Sequence, residues 1–191
     1  MINTIIFSKD RACQLDALLL SIRTFWHDWW PVEILFTYSD EDFLSGYHTL
    51  YDTWRTNRFI EMDLKADTQY LIEASIGAHG HDEYPITCFL CDDDLFYRPL
   101  LSFAVKPGTT YSTRLGKNCS WCYPMDRSQR EGELDFNYSY SLDGNMYLTS
   151  EILPLIKSLD FSTPNELEQR LNEQGPPLKV DPEALKAVMA T

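Results

Sequence analysis

Strand-like and helix-like segments alternate along the first hundred residues, and this alternation limits the possible folds more than any other feature of the chain. The β-rich runs cover residues 3–8, 32–38, 58–62 and 86–91. Apolar residues recur at helical spacing in the segments between them, at 15–26, 43–54 and 67–78. Such alternation favours a sheet of mostly parallel strands covered by helices. We therefore predict an α/β fold with a mostly parallel central sheet flanked by helices.

The composition predicts one ordered domain. The 191 residues are 44% hydrophobic and 14% aromatic, which is enough apolar material for a sizeable core. The sequence contains no internal repeat and no low-complexity block, and its first obvious break is Gly175-Pro176-Pro177. We therefore interpret residues 1–191 as a single domain.

The chain is strongly acidic. Sixteen basic and 29 acidic residues give a net charge of −13, which argues against non-specific binding to nucleic acids or to anionic lipid surfaces. A phosphate-bearing ligand would therefore need a metal ion, a helix N-terminus or a few well-placed cations. The sequence enters a strand-like run directly, without a basic leader, and no apolar stretch reaches about 18 residues. These features predict a cytoplasmic protein without stable membrane insertion.

Polar side chains follow each of the four predicted strands. They are Ser8, Lys9, Asp10 and Arg11 after the first strand, Asp40 after the second, Lys65 after the third, and Asp92, Asp93 and Asp94 after the fourth. In open sheets of parallel strands, ligands bind beyond the carboxyl ends of the strands. We therefore expect these clusters to share one ligand-binding edge.

The three consecutive aspartates at 92–94 are the most unusual of these clusters. Carboxylates a few ångströms apart repel one another, so either the pKa of one rises or a cation neutralises them. Oxygen ligands favour Mn²⁺ or Mg²⁺, which commonly accompany the phosphates of a substrate. Lys9 and Arg11 would then meet a diphosphate or a base edge beside the metal. The alternative is a solvated acidic turn with solvated loop cations near it.

The five cysteines allow two interpretations. Cys88 and Cys91 form one C-x-x-C pair and Cys119 and Cys122 form another, which resembles a zinc site. However, residues three apart on a strand point to opposite faces, and neither pair carries the turn residues of a zinc knuckle. Buried reduced thiols are the favoured interpretation, and the odd count that Cys13 creates fits a reducing compartment.

The second half of the chain is less regular. We predict strands at 109–115 and 119–123, and an aromatic, β-prone segment at 137–148 that turns at Asp143-Gly144. Its aromatic residues suit contact with a carbohydrate, although core packing is the alternative for each of them. A last helix is expected from Asp181.

Thr163-Pro164-Asn165-Glu166 has the pattern of a capping box. It predicts a helix that begins here and ends near Gly175. Glu166 would belong to the cap, whereas Glu168 has no structural role that the pattern explains beyond facing solvent.

Residues 5–19 look like a first strand and helix, residues 89–96 carry a D-x-D motif, and residues 141–168 look like a later strand, a helix and an acidic helix start. Together these three segments resemble, in order, the first strand and helix, the D-x-D motif and the acceptor-side elements of nucleotide-sugar glycosyltransferases of the GT-A fold, of the broad family-2-like kind. The resemblance spans nearly the whole chain. It implies a GT-A, Rossmann-like domain with a nucleotide-binding half at 1–98, an acceptor-side half at 99–175 and a C-terminal helix at 176–191.

The resemblance implies a metal-dependent enzyme that moves a sugar from a nucleoside-diphosphate donor to a glycan or another hydroxyl acceptor. Asp92 and Asp94 would bind Mn²⁺ or Mg²⁺, and Asp93 would contact the ribose or the sugar. By the same resemblance, Asp10, Arg11 and Asp40 would hold the nucleoside. An inverting transferase also needs a carboxylate base. The candidates are Glu168 first, then Glu166 and Asp143.

Two other functions remain open. A glycosyltransferase-like module could bind nucleotide or glycan without turnover. A strand that ends in Asp-x-Asp also begins phosphotransferases of the haloacid dehalogenase type, in which the first aspartate is a nucleophile. In those enzymes the motif follows the first strand, whereas here three strand-helix units precede it.

Overall fold

The computed structural model describes residues 2–26, 32–78, 85–99, 104–113, 139–180 and 189–190. The helices are α1 (Ala12–Phe25), α2 (Glu41–Thr53), α3 (Thr68–Gly77), α4 (Thr149–Lys157) and α5 (Pro164–Gln174). The strands are β1 (Ile2–Lys9), β2 (Glu33–Thr37), β3 (Arg58–Glu61), β4 (Ile86–Cys91), β5 (Leu95–Phe96), β6 (Thr109–Ser112), β7 (Asn145–Leu148), β8 (Lys179–Val180) and β9 (Met189–Ala190). The strands and helices predicted for the first hundred residues are all present.

The described strands form a seven-stranded sheet in the order β3-β2-β1-β4-β7-β6-β8, and β5 pairs with β9. The first four strands of that order are mutually parallel. β7 runs antiparallel to both β4 and β6. The predicted mostly parallel sheet is therefore confirmed. The chain steps outward from β1 to β3 and then returns to the other side of β1 with β4, so the strand order reverses between β1 and β4.

Helices cover both faces of the sheet because its central strands are apolar on both sides. Neighbouring residues on a strand point to opposite faces, so Ile6 packs with α1 and α2 while Ile5 packs with α3, α4 and α5. Ile34 and Leu35 divide in the same way on β2. Full burial of each such side chain contributes roughly 1.5–3 kcal/mol. The result is a three-layer sandwich with helices on either side of the sheet.

The helical spacing of apolar residues predicts α1 better than α2. α1 buries Leu15, Leu18, Leu19 and Ile22, as the spacing predicts. α2 buries Tyr47 and Leu50, whereas Phe43 and Tyr51 remain exposed although they share the same spacing. None of the described helices has the length and apolarity that crossing a membrane requires.

The predicted cap of α5 is confirmed. Thr163 Oγ1 accepts a hydrogen bond from Glu166 N at 3.1 Å. Gly175 follows the helix, and its N–H donates to Leu171 O at 2.8 Å. Its φ of −71° is not left-handed, so the conformational freedom of glycine is not the reason for this residue. A Cβ there would lie 2.7 Å from the ring of Tyr140, so close packing requires glycine.

Cys88 and Cys91 are free thiols. Cys88 belongs to the core on the α1 side of the sheet, and burial raises its pKa. Burial also raises the pKa of Cys91, so both thiols stay protonated. Cys119 and Cys122 lie outside the described residues, as does the predicted strand at 119–123.

The C-terminal segment differs from the single helix predicted over 176–191. Its described parts are two short strands: β8 continues the large sheet beside β6, and β9 pairs with β5. The residues from 181 to 188, where a helix is expected to begin at Asp181, lie outside the described part of the chain.

Candidate active site

A cavity of about 720 Å³ lies at the carboxyl ends of β1 and β4, where the strand order reverses. Such a reversal leaves a crevice between neighbouring strands, and ligands of open α/β sheets bind there. The polar wall of the cavity is formed by Ser8, Lys9, Asp10, Arg11, Asp92, Asp93 and Glu168. The clusters that follow the first and fourth predicted strands therefore meet, as expected.

The pairing of β1 with β4 fixes the position of Asp92. Phe7 is in register with Cys91, so Ser8 and Asp92 come next on adjacent strands. Asp92 Oδ2 accepts hydrogen bonds from Ser8 Oγ at 2.9 Å and from Lys9 N at 3.1 Å. Burial raises the pKa of Asp92, while these two donors and the nearby Arg11 oppose the shift. The carboxylate is thus held rigidly at the edge of the cavity.

Arg11 is the cation of this cluster. Its Nη1 lies 2.8 Å from Asp93 Oδ2 and 3.5 Å from Asp92 Oδ1. Asp92, and then the hydrogen-bonded Asp93, raise the pKa of Arg11. The side chains of Arg11 and Asp93 are both about half exposed, so solvent screens the pair and its contribution to stability is small. The same exposure leaves the guanidinium and the carboxylate accessible to a ligand.

Asp94 differs from the other two aspartates because it does not line the cavity. Its Oδ2 accepts a hydrogen bond from Cys91 N at 2.8 Å, and its carboxyl lies against that of Asp143. Burial first, and then Asp143, raise the pKa of Asp94 far above its usual range. A like charge in contact disfavours the charged form of a carboxyl. The guanidinium of Arg11 therefore offsets part of the charge at Asp92 and Asp93, while burial and Asp143 disfavour the charged form of Asp94.

Asp10 joins the ends of β1 and β2. It adopts a left-handed backbone conformation with a φ of 59°, which is uncommon for residues other than glycine but tolerated by aspartate. Its carboxylate accepts hydrogen bonds from Ser39 N at 2.7 Å and from Ser39 Oγ at 2.6 Å. Asp10 lines the cavity, so its backbone conformation shapes the floor beside Arg11.

Asp40 and Lys65 lie apart from the cavity wall, although both follow strands at the same edge. Asp40 is the N-cap of α2, where its Oδ1 accepts from Asp42 N at 3.0 Å and from Phe43 N at 3.3 Å. Lys65 lies in the turn between β3 and α3, and its N–H donates to Asp63 O. At the ends of these strands the cavity is lined by Thr37, Met62 and Leu64 instead.

The start of α5 supplies another part of the cavity wall. Glu168 lines it together with Thr163, Pro164 and Asn165. Glu166 instead accepts hydrogen bonds from Ser162 N at 2.8 Å and from Ser162 Oγ at 3.0 Å, which lower its pKa. Asp143 is not among the residues that line the cavity and lies against Asp94. Of the three predicted base candidates, Glu168 is the one that faces the cavity.

Sequence reasoning does not identify Tyr47 as a residue of this site. Its helical spacing marks it as a core residue, and it is indeed buried. Its hydroxyl, however, lies 2.7 Å from Ser8 Oγ and 3.3 Å from Arg11 N. A tyrosine at an otherwise apolar helix position carries a polar tip that needs a partner, and this is the signal that could have indicated its role.

Comparisons with known proteins bear on the fold. No protein-family model matches the sequence, and no curated protein sequence matches it significantly. Solved structures do match. TarS of S. aureus has a TM-score of 0.57 and 14% identity, over 99% of this chain and 36% of that one. TarS 1–349 of S. aureus in complex with UDP also has a TM-score of 0.57 and 14% identity, over 100% of this chain and 60% of that one.

A third similar structure is the mannosyltransferase PcManGT from Pyrobaculum calidifontis in complex with GDP-Man and Mn²⁺. Its TM-score is 0.55 at 12% identity, over 98% of this chain and 56% of that one. The chain thus spans 36 to 60% of the length of these three proteins. At such low identities the likeness concerns the fold, and it confirms a glycosyltransferase-like GT-A domain.

The cap that Asp40 forms gives a first prediction. Replacing Asp40 with alanine removes the acceptor for two N–H groups of α2 and should lower the free energy of unfolding by about 1 kcal/mol. Asp40→Ser keeps an N-cap acceptor and should unfold at nearly the wild-type urea concentration. Equal destabilisation by Asp40→Ala and Asp40→Ser in urea titrations would contradict the capping role.

Proposed function

We propose that this GT-A domain is a glycosyltransferase that moves a sugar from a nucleoside-diphosphate donor to a hydroxyl acceptor with the help of Mn²⁺ or Mg²⁺. The observation that carries the proposal is the cluster of Arg11, Asp92 and Asp93 in the cavity where the strand order reverses. Two similar structures, of TarS with UDP and of a mannosyltransferase with GDP-Man and Mn²⁺, support the choice of donor.

The charges around the cavity support a diphosphate with an accompanying cation. Among the described residues of its wall, Lys9 and Arg11 are basic, while Asp10, Asp92, Asp93 and Glu168 are acidic. A diphosphate brings further negative charge into an already acidic cavity. Arg11 offers a planar, permanently charged fork that suits phosphate oxygens, but two basic side chains do not offset both the acids and the diphosphate.

A divalent cation would offset that excess, and the donor atoms fit one. Asp92 and Asp93 offer carboxylate oxygens, the ligands that Mn²⁺ and Mg²⁺ prefer. Among the described residues, no three His, Cys, Asp or Glu side chains converge on one point. Mg²⁺ commonly takes one or two carboxylates and completes its shell with phosphate and water. When bound, the cation would neutralise charge on the leaving diphosphate.

We assign Asp92 and Asp93 as the protein ligands because both line the cavity. The pair Asp92 and Asp94, which the resemblance implies, would require the buried Asp94 carboxyl to leave Asp143. Asp94 therefore serves as the discriminating position, and a variant at this residue decides between the two ligand pairs.

Glu168 is the proposed base. Its position in the same cavity as Asp92 suits a carboxylate that takes the proton of an acceptor hydroxyl. The hydroxyl oxygen would then bond to the anomeric carbon, and the bond to the diphosphate would break with its electron pair on the diphosphate oxygen. A single displacement of this kind inverts the anomeric configuration. Glu166 is a poorer candidate because Ser162 holds its carboxylate.

Nucleotide titrations test the metal assignment. Wild-type protein should bind UDP or GDP in calorimetry with Mn²⁺ and much more weakly without it. Asp92→Asn and Asp93→Asn should each weaken the binding by about 10- to 100-fold, the usual effect of losing one charged contact. Asp94→Asn is the matched control and should leave the affinity nearly unchanged.

A large loss in Asp94→Asn would instead favour the Asp92–Asp94 ligand pair. If the affinity is equal with and without Mn²⁺ in the wild type and in all three variants, the proposed metal has no role.

The base gives a separate prediction. Glu168→Gln should slow the release of nucleoside diphosphate from UDP- and GDP-sugars by roughly 10²- to 10⁴-fold, because general base catalysis contributes about that much. Its affinity for UDP or GDP should remain that of the wild type. Glu166→Gln, the control on the same helix, should keep its activity. Binding without any release in the wild type would favour a glycosyltransferase-like binding module without turnover.

A further inference from the structure

We infer that Tyr47, which lies on α2 outside the cavity wall, is a positioning residue that orients Arg11 and Asp92 through a chain of hydrogen bonds. The inference rests on the proposed function, since Arg11 and Asp92 are the groups assigned to the donor diphosphate and its cation. It adds Tyr47, which does not line the cavity and which acts through the Ser8 hydroxyl and through the backbone N–H of Arg11.

The position of Tyr47 is rigid. Its side chain is 1% exposed, and its ring stacks on Phe36 with 4.5 Å between the centroids and 27° between the planes. The hydroxyl reaches the end of β1, 2.7 Å from Ser8 Oγ and 3.3 Å from Arg11 N. Burying a hydroxyl is unfavourable unless it is hydrogen-bonded, and here the end of β1 supplies both partners.

The direction of each of these hydrogen bonds follows from the number of protons available. Ser8 Oγ and Lys9 N both lie within donating distance of Asp92 Oδ2, and Arg11 Nη1 lies near Oδ1, so the Asp92 oxygens accept and Ser8 Oγ uses its proton on Asp92 Oδ2. Ser8 Oγ can then act only as an acceptor toward Tyr47, whose hydroxyl donates. The Tyr47 oxygen in turn accepts the N–H of Arg11. The order is therefore Arg11 N to Tyr47 to Ser8 to Asp92.

This order links the two sides of the proposed diphosphate site. The Tyr47 hydroxyl contacts the backbone N–H of Arg11 directly and reaches the Asp92 carboxylate through Ser8 Oγ. Burial raises the pKa of Tyr47, so the hydroxyl stays protonated and remains a donor. A phenylalanine would keep the stack on Phe36, but it would leave Arg11 N without its acceptor and let the Ser8 hydroxyl rotate away from Asp92.

A double-mutant cycle tests this chain of hydrogen bonds. Tyr47→Phe, Ser8→Ala and the double variant are titrated with UDP and with GDP in the presence of Mn²⁺, and thermal unfolding verifies that each variant is folded. Each single variant should weaken nucleotide binding by about tenfold. The double variant should bind nucleotide about as weakly as each single variant, because both substitutions interrupt the same series of hydrogen bonds.

Two further measurements separate positioning from general stability. Tyr140→Phe removes another buried hydroxyl, one that donates to Pro176 O at 2.7 Å away from the cavity, and should bind nucleotide within twofold of the wild type. Hydrogen exchange at the Arg11 backbone amide should speed up at least tenfold in Tyr47→Phe and stay unchanged in Tyr140→Phe. If Tyr47→Phe does not fold, Ser8→Ala still has to weaken binding.

Wild-type affinity in Tyr47→Phe, or losses that simply add in the double variant, would overturn the inference and leave the proposed function intact. If the wild-type protein binds neither UDP nor GDP, the proposed function and the positioning role fail together.

Discussion

The parallel pairing of β1 with β4 is the interaction on which the rest of the site depends. Phe7 lies in register with Cys91, and the next residues on the two strands are Ser8 and Asp92. The two strands are far apart in the sequence, but their pairing at the point where the strand order reverses brings a cation-bearing turn and an acidic turn to one crevice. The helices on both faces then hold this pairing through the two cores, so the stability of the sheet and the geometry of the site have the same origin.

The electrostatics of the site follow from what surrounds each aspartate. Three adjacent carboxylates repel one another, and each has different surroundings: Asp92 is buried and hydrogen-bonded, Asp93 is exposed beside Arg11, and Asp94 is buried against Asp143, which raises the pKa of Asp94. Arg11 thus offsets part of the charge of Asp92 and Asp93 and leaves the cavity open, because the guanidinium is itself half exposed. In such an arrangement the Arg11 guanidinium can leave the two aspartates for a diphosphate, and a metal ion can take its place, at little cost in stability.

Local patterns predict the fold and much of the site. Alternating strands and helices predict the parallel sheet, and the carboxyl-end rule brings Ser8, Arg11 and Asp92 together before any coordinates are known. Contacts between distant segments escape this reasoning. The proximity of Asp94 and Asp143 depends on the antiparallel return of β7 beside β4, which no local pattern encodes. The sequence predicts a ligand-binding role for Asp40, which is a helix cap, and a core role for Tyr47, whose hydroxyl reaches Ser8. The same residue types serve as helix caps, core residues or site residues, and tertiary packing decides between these roles.

A crystal structure of the protein with UDP or GDP and Mn²⁺ tests most directly whether the Arg11 cluster is the diphosphate site. The diphosphate should lie within hydrogen-bond distance of the Arg11 guanidinium, with Mn²⁺ at the carboxylates of Asp92 and Asp93. The contact between Arg11 and Asp93, now 2.8 Å, should lengthen as the guanidinium turns to the phosphates. A nucleotide bound elsewhere, with Arg11 still paired to Asp92 and Asp93, would contradict the assignment.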